Sequence, residues 1–302
     1  MKQIFVITGG AGFIGTNLCH FLVAEGHEVR VIDNLAAGKK ENLPTEAQFN
    51  LVDIRDTAAV TEVVKGADVI VHLAALPRVQ FSIESPIVTH DVNITGTLSV
   101  LEAARAAGVK RVVYAASSSA YGDQDILPLE VTMRPQPKSP YALHKYVGEE
   151  YARLWNELYG LETVSLRFFN VYGPYLDPEG PYALVIGRFL KLAKEGQPLT
   201  ITGDGEQTRD FTHVHDVVAA IYKAAQVATV GKGEVLNIGA GKQTSVNELA
   251  QLIGGEIQYV APRIEPKHTL ADITETTALL NWVPKVQIEE GIAELKRDFG
   301  LS

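Results

Sequence analysis

A chain of 302 residues, 46% hydrophobic and 21% charged, can bury a substantial core as one large or two modest domains. Its net charge of −9 disfavours nucleic acid and anionic membranes as partners, but leaves room for an anionic small molecule held by a few converging arginines. No run approaches the ~18 apolar residues of a membrane span, and the start of the chain reads as a strand rather than a cleavable leader. Cys19 is the only cysteine, so no internal disulfide is expected. It falls on an apolar helix face, and a reducing, cytoplasmic setting is the consistent expectation. No His or Cys spacing suggests a metal centre.

Residues 3–8, QIFVIT, have the apolar run of a strand covered on both faces and pass directly into GGAGFIG. Gly10, Gly12 and Gly15 fit G-x-G-x-x-G, while Gly9, Gly12 and Gly15 fit the overlapping T-G-x-x-G-x-x-G. Either register lets the backbone turn tightly and brings a pyrophosphate to a helix N-terminus. That helix is FIGTNLCHFLVAEG, ended by Gly26, and HEVRVID is the second strand. Asp33 closes it 18 residues beyond Gly15, where a carboxylate would bond the adenosine ribose; a loop-capping acid is the plainer alternative. Its charge would repel a 2′-phosphate and no arginine follows in NLAAGKKEN, so NAD is expected over NADP despite Lys39 and Lys40.

The alternation continues with strand 47–53, whose terminal Asp53 would reach the adenine amine, then helix 56–66 and strand 67–75. Polar LPRVQFSIESP leads into a long helix over 86–108, with Asn93 inside it, and strand 111–116 follows. Strands separated by helices require right-handed crossovers, and so a Rossmann-like, doubly wound parallel sheet in an α/β protein. Strand 111–116 ends in Ser117, Ser118 and Ser119. After a loop holding Pro128, Pro135 and Pro137, Ser139 is the expected N-cap and Pro140 the first residue of a helix to 159. Tyr141 and Lys145, four residues apart, share a face of that helix. An ammonium beside a phenol favours the phenolate and should lower its pKa. A surface tyrosine with a solvated lysine is the plainer alternative. Strand 162–168 extends the sheet, and beyond about 170 the rhythm breaks. Glycine and proline crowd 173–181, followed by helix 183–195, strand 199–203, helix 214–228, strand 234–239, a helix from 245, IQYVAP and an amphipathic helix 288–299. This half reads as a smaller α/β domain, 171–302, that holds substrate against the dinucleotide domain, 1–170, with interleaved boundaries. Of its arginines Arg188, Arg209 and Arg263, Arg209 in GDGEQTRDF is best placed to grip a diphosphate bidentately.

In order, TGGAGFIG, DNL, HLAA, SSSAYG, YALHK, RFFNVYGP, GDGEQTRDF, NIGAGKQTS and HTLAD resemble the extended short-chain dehydrogenase/reductase superfamily, and within it the nucleotide-sugar 4-epimerases. The resemblance covers essentially the whole chain. It implies Ser117 as the catalytic hydroxyl, four residues before Tyr121, with Tyr141 and Lys145 as the Y-x-x-x-K pair. It implies cofactor contacts from Gly9, Gly12, Phe13, Ile14 and Gly15, from Asp33 and Asn34, from Asp53 and Ile54, and from Leu73, Ala74, Ala75 and Asn93. It implies Asn170, Arg209 and Arg263 on the diphosphate, Thr200 and Thr202 beside the nucleobase, and Thr269 beside the sugar C2 substituent. The implied reaction is 4-epimerisation of UDP-glucose and UDP-galactose, extending to the N-acetylated pair, through a 4-keto sugar with NAD retained.

The chain departs from neighbouring activities at three places. Ser118 and Ser119 stand where the 4,6-dehydratases carry Asp-Glu, so the acid that eliminates water is missing. Tyr175 follows YGP where glucuronate-handling members usually carry Arg. PRIEPKHT is one residue short of the usual pattern, which bears on Arg263 and Glu265. The resemblance also implies a homodimer through helices 86–108 and 141–159, using Val100, Leu101, Val147, Tyr151 and Leu154. A reductase or dehydrogenase with net redox and a non-catalytic dinucleotide-binding regulator are the alternatives. The intact Ser117, Tyr141 and Lys145 set disfavours the regulator.

Overall fold

Seven parallel strands form the central sheet of the computed structural model, which describes residues 2–178, 185–261 and 267–301. Six come in chain order: β1 (Ile4–Thr8), β2 (Glu28–Asp33), β3 (Gln48–Leu51), β4 (Val69–His72), β5 (Arg111–Ser117) and β6 (Glu162–Phe168). Across the sheet the order is β3, β2, β1, β4, β5, β6 and then a seventh strand, Lys232–Ile238. Ile7 lies between Val31 and Val71, and Val113 opposite Val164, on one face, while Val6, Ile32, Ile70 and Val112 fill the other, so the centre is apolar on both faces. Helices cover both faces. Phe13–Ala24 and Val214–Gln226 bury Leu18, Leu22, Val217 and Ile221 on one side, each worth roughly 1.5–3 kcal/mol in removed apolar surface. Thr57–Val64, Gly96–Ala106 and Pro140–Tyr159 cover the other.

The chain runs outward from β1 in one direction and from β4 in the other, so the switch of direction falls between these two strands. In open α/β sheets that crevice, beyond the strands' carboxyl ends, is where ligands sit. The rest of the chain packs over this edge. Helices Val185–Lys194, Val246–Ile253 and Ile288–Asp298 enclose a second core of Phe189, Leu190, Leu249 and Leu295 around the parallel pair Leu199–Thr202 and Ile257–Val260. The strand expected in this half at 234–239 instead joins the main sheet beside β6, because its buried Leu236 and Ile238 meet that strand's apolar rows.

Several expectations are corrected. The 86–108 helix is Pro86–His90, a π-turn Asp91–Thr95 and Gly96–Ala106, and a short helix Val79–Glu84 precedes it in the stretch read as a polar lead-in. A helix at Thr274–Leu280 lacked a long apolar period and escaped notice. Val100 and Leu101, expected at a dimer surface, are buried in the protein's own core under β1 and β4.

Candidate active site

A cavity of about 1050 Å³ opens at the switch point, lined by the turns after β1, β2, β3, β4 and β5 and by Asn170 and Tyr175 to Pro178. Its floor is the glycine loop. Gly9 has φ +70, and a Cβ there would meet Ala74 N at 2.7 Å, while one at Gly15 would run into the backbone of Gly9 and Gly10. These glycines let the first turn of helix Phe13–Ala24 come close to a ligand, and no side chain caps that helix N-terminus. Asp33 ends β2 nearly buried, with its carboxylate held by Leu35 N at 2.8 Å and Ala11 N at 3.1 Å. Burial raises its pKa, and the two N–H bonds oppose the rise. The volume, the glycine cradle and a carboxylate at the end of β2 fit a dinucleotide.

Gly9, Gly12, Phe13, Ile14, Gly15, Asp33, Asn34, Asp53, Ile54, Leu73, Ala74 and Ala75 all face this cavity. Asn93 does not. Its amide makes two reciprocal bonds with Leu76, accepting from N at 2.7 Å and donating to O at 3.1 Å, so it pins the loop that walls the cavity. Behind that loop, Thr8 Oγ1 is 2.7 Å from His72 Nδ1 and Thr97 Oγ1 is 3.0 Å from His72 Nε2. Burial first, then the Lys145 charge, hold His72 neutral with a pKa of about 3. Asp53 is bonded by Arg55 Nε at 2.9 Å, Arg55 Nη2 at 2.7 Å and Asn34 Nδ2 at 3.1 Å, and Arg55 also bonds Asp91 at 2.7 Å. The Arg55 bonds hold the Asp53 carboxyl well below the usual carboxylate range.

At the other end β5 delivers Ser117, and the helix capped by Ser139 delivers Tyr141 and Lys145 to the same wall. Tyr141 N donates to Ser82 Oγ at 3.0 Å, which fixes the first turn. Ser117 stands on the same wall as the Tyr141 phenol, and a bond from its hydroxyl opposes the rise that burial brings to the phenol pKa. Lys145 is buried, its Nζ donating to Ala115 O at 2.7 Å and lying 5.1 Å from the centre of the Tyr114 ring. Burial lowers the lysine pKa to about 8 against the pull of Glu149. Glu149 is itself paired with buried Arg167 at 2.7 Å. The expected lowering of the phenol pKa by Lys145 is not what this site does. Desolvation pushes Tyr141 up and only the Ser117 bond opposes it, because the ammonium is turned to the Ala115 carbonyl.

Other contacts were not foreseen. Ser119 Oγ donates to Ser117 Oγ at 2.8 Å and Ser119 N does so at 3.2 Å, a pairing that the serine run itself could have signalled. Arg55 carried no motif by which to find it, and His72 opened HLAA without being assigned a role.

The residues expected on the substrate side are more scattered. Asn170 faces the cavity with φ 28, its amide donating to Asp210 O at 3.0 Å. Arg209 is half-buried on the ladder Thr208–Arg209 with Thr244–Ser245, donating to Thr208 O at 2.9 Å. Thr200 accepts from Arg188 Nη2 at 2.9 Å, Thr202 O accepts from Gln207 Nε2 at 2.9 Å, and Thr269 N donates to Thr208 O at 3.2 Å. Thr200, Thr202, Arg209 and Thr269 do not line the main cavity. Arg263 and Glu265 lie outside the described residues. Asp210 ties this side together, accepting from Ala240 N at 2.6 Å and from Gly241 N and Ala271 N at 3.0 Å.

Among the described residues His213, His215 and Glu294 bring ligand-type atoms within 4.8 Å of one another. His213 Nδ1 accepts the His215 N–H at 3.3 Å as the cap of its helix, so the neutral ring carries its proton on Nε2, 3.2 Å from Glu294. A ring committed in this sense has no lone pair to offer a metal.

A glycine cradle, a nearly buried strand-end acid and a Ser-Tyr-Lys constellation share this one cavity, the arrangement of a dinucleotide-dependent enzyme. Residues 5–239 match the NAD dependent epimerase/dehydratase family, and the chain belongs to that family. It is 39% identical over 297 residues to a putative UDP-glucose 4-epimerase of Methanocaldococcus jannaschii, covering 96% of each chain. It is 37% identical to a UDP-glucose 4-epimerase of Mycolicibacterium smegmatis, again covering 96% of each. A UDP-glucuronate 4-epimerase of Thermodesulfobacterium geofontis is 35% identical, with 95% of this chain and 93% of that one covered. Among solved structures, the Thermotoga maritima UDP-glucose 4-epimerase with UDP-glucose superposes with a TM-score of 0.93, at 36% identity and 99% and 98% coverage. The UDP-N-acetylglucosamine 4-epimerase of Methanobrevibacter ruminantium, with UDP-N-acetylmuramic acid, gives 0.92 at 33% identity, covering 99% and 100%. The Thermus thermophilus UDP-glucose 4-epimerase with NAD gives 0.91 at 34% identity, covering 99% of each chain.

Proposed function

We propose that this enzyme interconverts the C4 epimers of a UDP-sugar, UDP-glucose and UDP-galactose first and the N-acetylated pair as well. The observation that carries the reading is that Ser117, Tyr141 and, one helical turn on, Lys145 line the same cavity as the glycine loop and Asp33. The relatives with epimerase names support it. Bound NAD would supply the hydride acceptor and donor for sugar C4, together with a positive ring in its oxidised state.

The protein's own part is proton handling and orientation. Tyr141 takes the proton of the sugar 4-hydroxyl and later returns one to the oxygen presented on the other face. Ser117 bridges phenol and sugar oxygen, and the Ser119 hydroxyl donated to it fixes which lone pairs remain for that bridge. A phenol raised by burial needs positive charge nearby to ionise; the oxidised ring of bound NAD would bring it, and Lys145, held on Ala115 O in this structure, would add to it once turned toward the phenol. Ser118 and Ser119 offer no carboxyl to expel water, so the 4-keto sugar is reduced rather than dehydrated. Arg209, Asn170 and Arg263 are assigned to the diphosphate, Thr200 and Thr202 to the base, Thr269 to the C2 substituent, and Asn93 to positioning the cofactor wall through Leu76.

A homodimer in a reducing, cytoplasmic compartment completes the reading. Ile83, Ile87, Val88 and Leu143 remain exposed on the helices that pack together around Pro140–Tyr159, and light scattering would weigh the particle. No described helix is long and apolar enough to cross a membrane. The test of function is anaerobic incubation with a panel of UDP- and dTDP-sugars, following sugar product and cofactor absorbance together. UDP-galactose formed from UDP-glucose without net NADH is expected; stoichiometric accumulation of NADH would overturn the reading in favour of net redox.

A further inference from the structure

The cavity's outer wall is built by a segment that the glycine-loop fold does not require. Residues 173–178 leave the substrate side, and Tyr175, Leu176, Asp177 and Pro178 share the cavity with Gly12, Phe13 and residues 36–39. The segment is held against the cofactor half at three points. Asn17 Nδ2, on the helix after the glycine loop, donates to Pro174 O at 2.9 Å. The Tyr175 ring stacks on His20 of the same helix, with centroids 5.6 Å apart and planes within 5°. Asp177 pairs with Lys39 at 3.2 Å across the cavity mouth.

The receiving side is itself fixed. His20 Nε2 is 2.9 Å from Asn42 O and 3.3 Å from Tyr175 Oη, so one ring joins the segment to the loop after β2. Lys39 N donates to Ala11 O at 2.9 Å, and Gly38 sits so close that a Cβ would meet Ala11 Cβ at 2.8 Å. Tyr175 adopts φ 64, a left-handed conformation unfavourable for an aromatic residue. Such a conformation persists only where neighbours hold it, and here the neighbours are His20 and the cavity wall.

We propose that residues 173–178 form a strap that retains NAD in its site, latched by the Tyr175–His20 stack and the Asp177–Lys39 ion pair. The strap rests on the dinucleotide site alone and not on which sugar is turned over. A dinucleotide leaving on this side must part the strap from residues 36–39, which means breaking both latches. The strap links substrate half to cofactor half, so it suits an enzyme that regenerates its cofactor on every turnover and gains nothing by releasing it.

The test is the release rate of isotopically labelled NAD from the loaded protein, chased with excess unlabelled NAD in the absence of any sugar. Both latches are solvent-accessible, and an exposed ion pair and an aromatic stack together are expected to slow release about tenfold. The double variant His20→Ala/Asp177→Ala should therefore release NAD about tenfold faster, with its thermal midpoint near that of the wild type. Added salt should speed the wild type and leave Asp177→Ala unchanged. Acceleration of the double variant below threefold overturns the proposal. Should that variant fail to fold, Tyr175→Gly removes the stack and relieves the positive φ, and the same threefold criterion applies. An incorrect sugar assignment would leave these rates untouched, so the two failures are distinguishable.

Discussion

Gly9, Asp33, Leu73 and Ser117 each stand at or just past the carboxyl end of a parallel strand, and strand pairing alone brings them to one cavity. Arg209, Thr200 and Thr269 instead lie on a two-residue ladder, a four-residue ladder and a loop, and side chains hold those pieces together. Asp210 shows the difference: one buried carboxylate takes three backbone N–H groups from two loops, and burial raises its pKa to about 6. The glycine-loop side is collected by the backbone pairing of one sheet. The substrate side is collected by particular hydrogen bonds, so changes there should alter which ligand binds before they alter the fold.

The largest test of that contrast falls where the two sides meet. Tyr141→Phe should cost about 10²–10⁴-fold in kcat, the usual weight of a general acid–base group, while NAD occupancy stays normal. Near-normal turnover would remove Tyr141 from the chemistry and leave the cofactor side a binding module only. Arg209→Ala isolates the substrate side. A lost charge-assisted bond of about 1.5–3 kcal/mol predicts a KM for UDP-glucose raised roughly 10–150-fold, with NAD release unchanged. A normal KM would show that Arg209 serves only its bonds to Thr208 and its neighbours.

Thr269→Tyr sharpens the comparison within the substrate side. Overfilling a closed pocket costs about 1–3 kcal/mol, so kcat/KM for UDP-N-acetylglucosamine should fall while that for UDP-glucose is spared. An unchanged ratio, or no wild-type activity on the acetylated sugar, separates Thr269 from selectivity.

The smallest effect is on stability and has the opposite sign. The Lys145 pKa drops from 10.5 to about 8 on burial, so the folded state sheds its proton first. The ammonium therefore costs stability at pH 7, and that cost is relieved as pH rises from about 8 to 10.5. At 1.36 kcal/mol per pKa unit the cost is ~3 kcal/mol, offset by a bond to Ala115 O worth about 1 kcal/mol. Lys145→Met should accordingly be inactive yet more stable than wild type by roughly 1–2 kcal/mol at pH 7. In chemical denaturation the variant's advantage should shrink above about pH 8 and be reversed by pH 10.5, because the ~3 kcal/mol relieved in wild type exceeds it. A variant less stable at pH 7 would mean that the Ala115 bond outweighs desolvation.

Sequence by itself determined the parts whose signal is local and repeated. An apolar run, three glycines, a helix and a terminal acid define a dinucleotide crevice because parallel pairing has few alternatives once those elements exist. Tyr141 and Lys145 could be placed on one helix face for the same reason, since a spacing of four is geometry in itself. The π-turn at Asp91–Thr95 broke that regularity and turned Asn93 toward Leu76, which no spacing rule anticipates. Tertiary structure alone decided that Lys232–Ile238 joins the main sheet, that Val100 and Leu101 belong to the interior, and that desolvation rather than the neighbouring ammonium sets the direction of the Tyr141 pKa shift. It also decided that Tyr175 and Asp177 reach across to His20 and Lys39. Each of these depends on groups distant in sequence, or on exclusion of water by the whole assembly, and neither leaves a periodic trace in the chain.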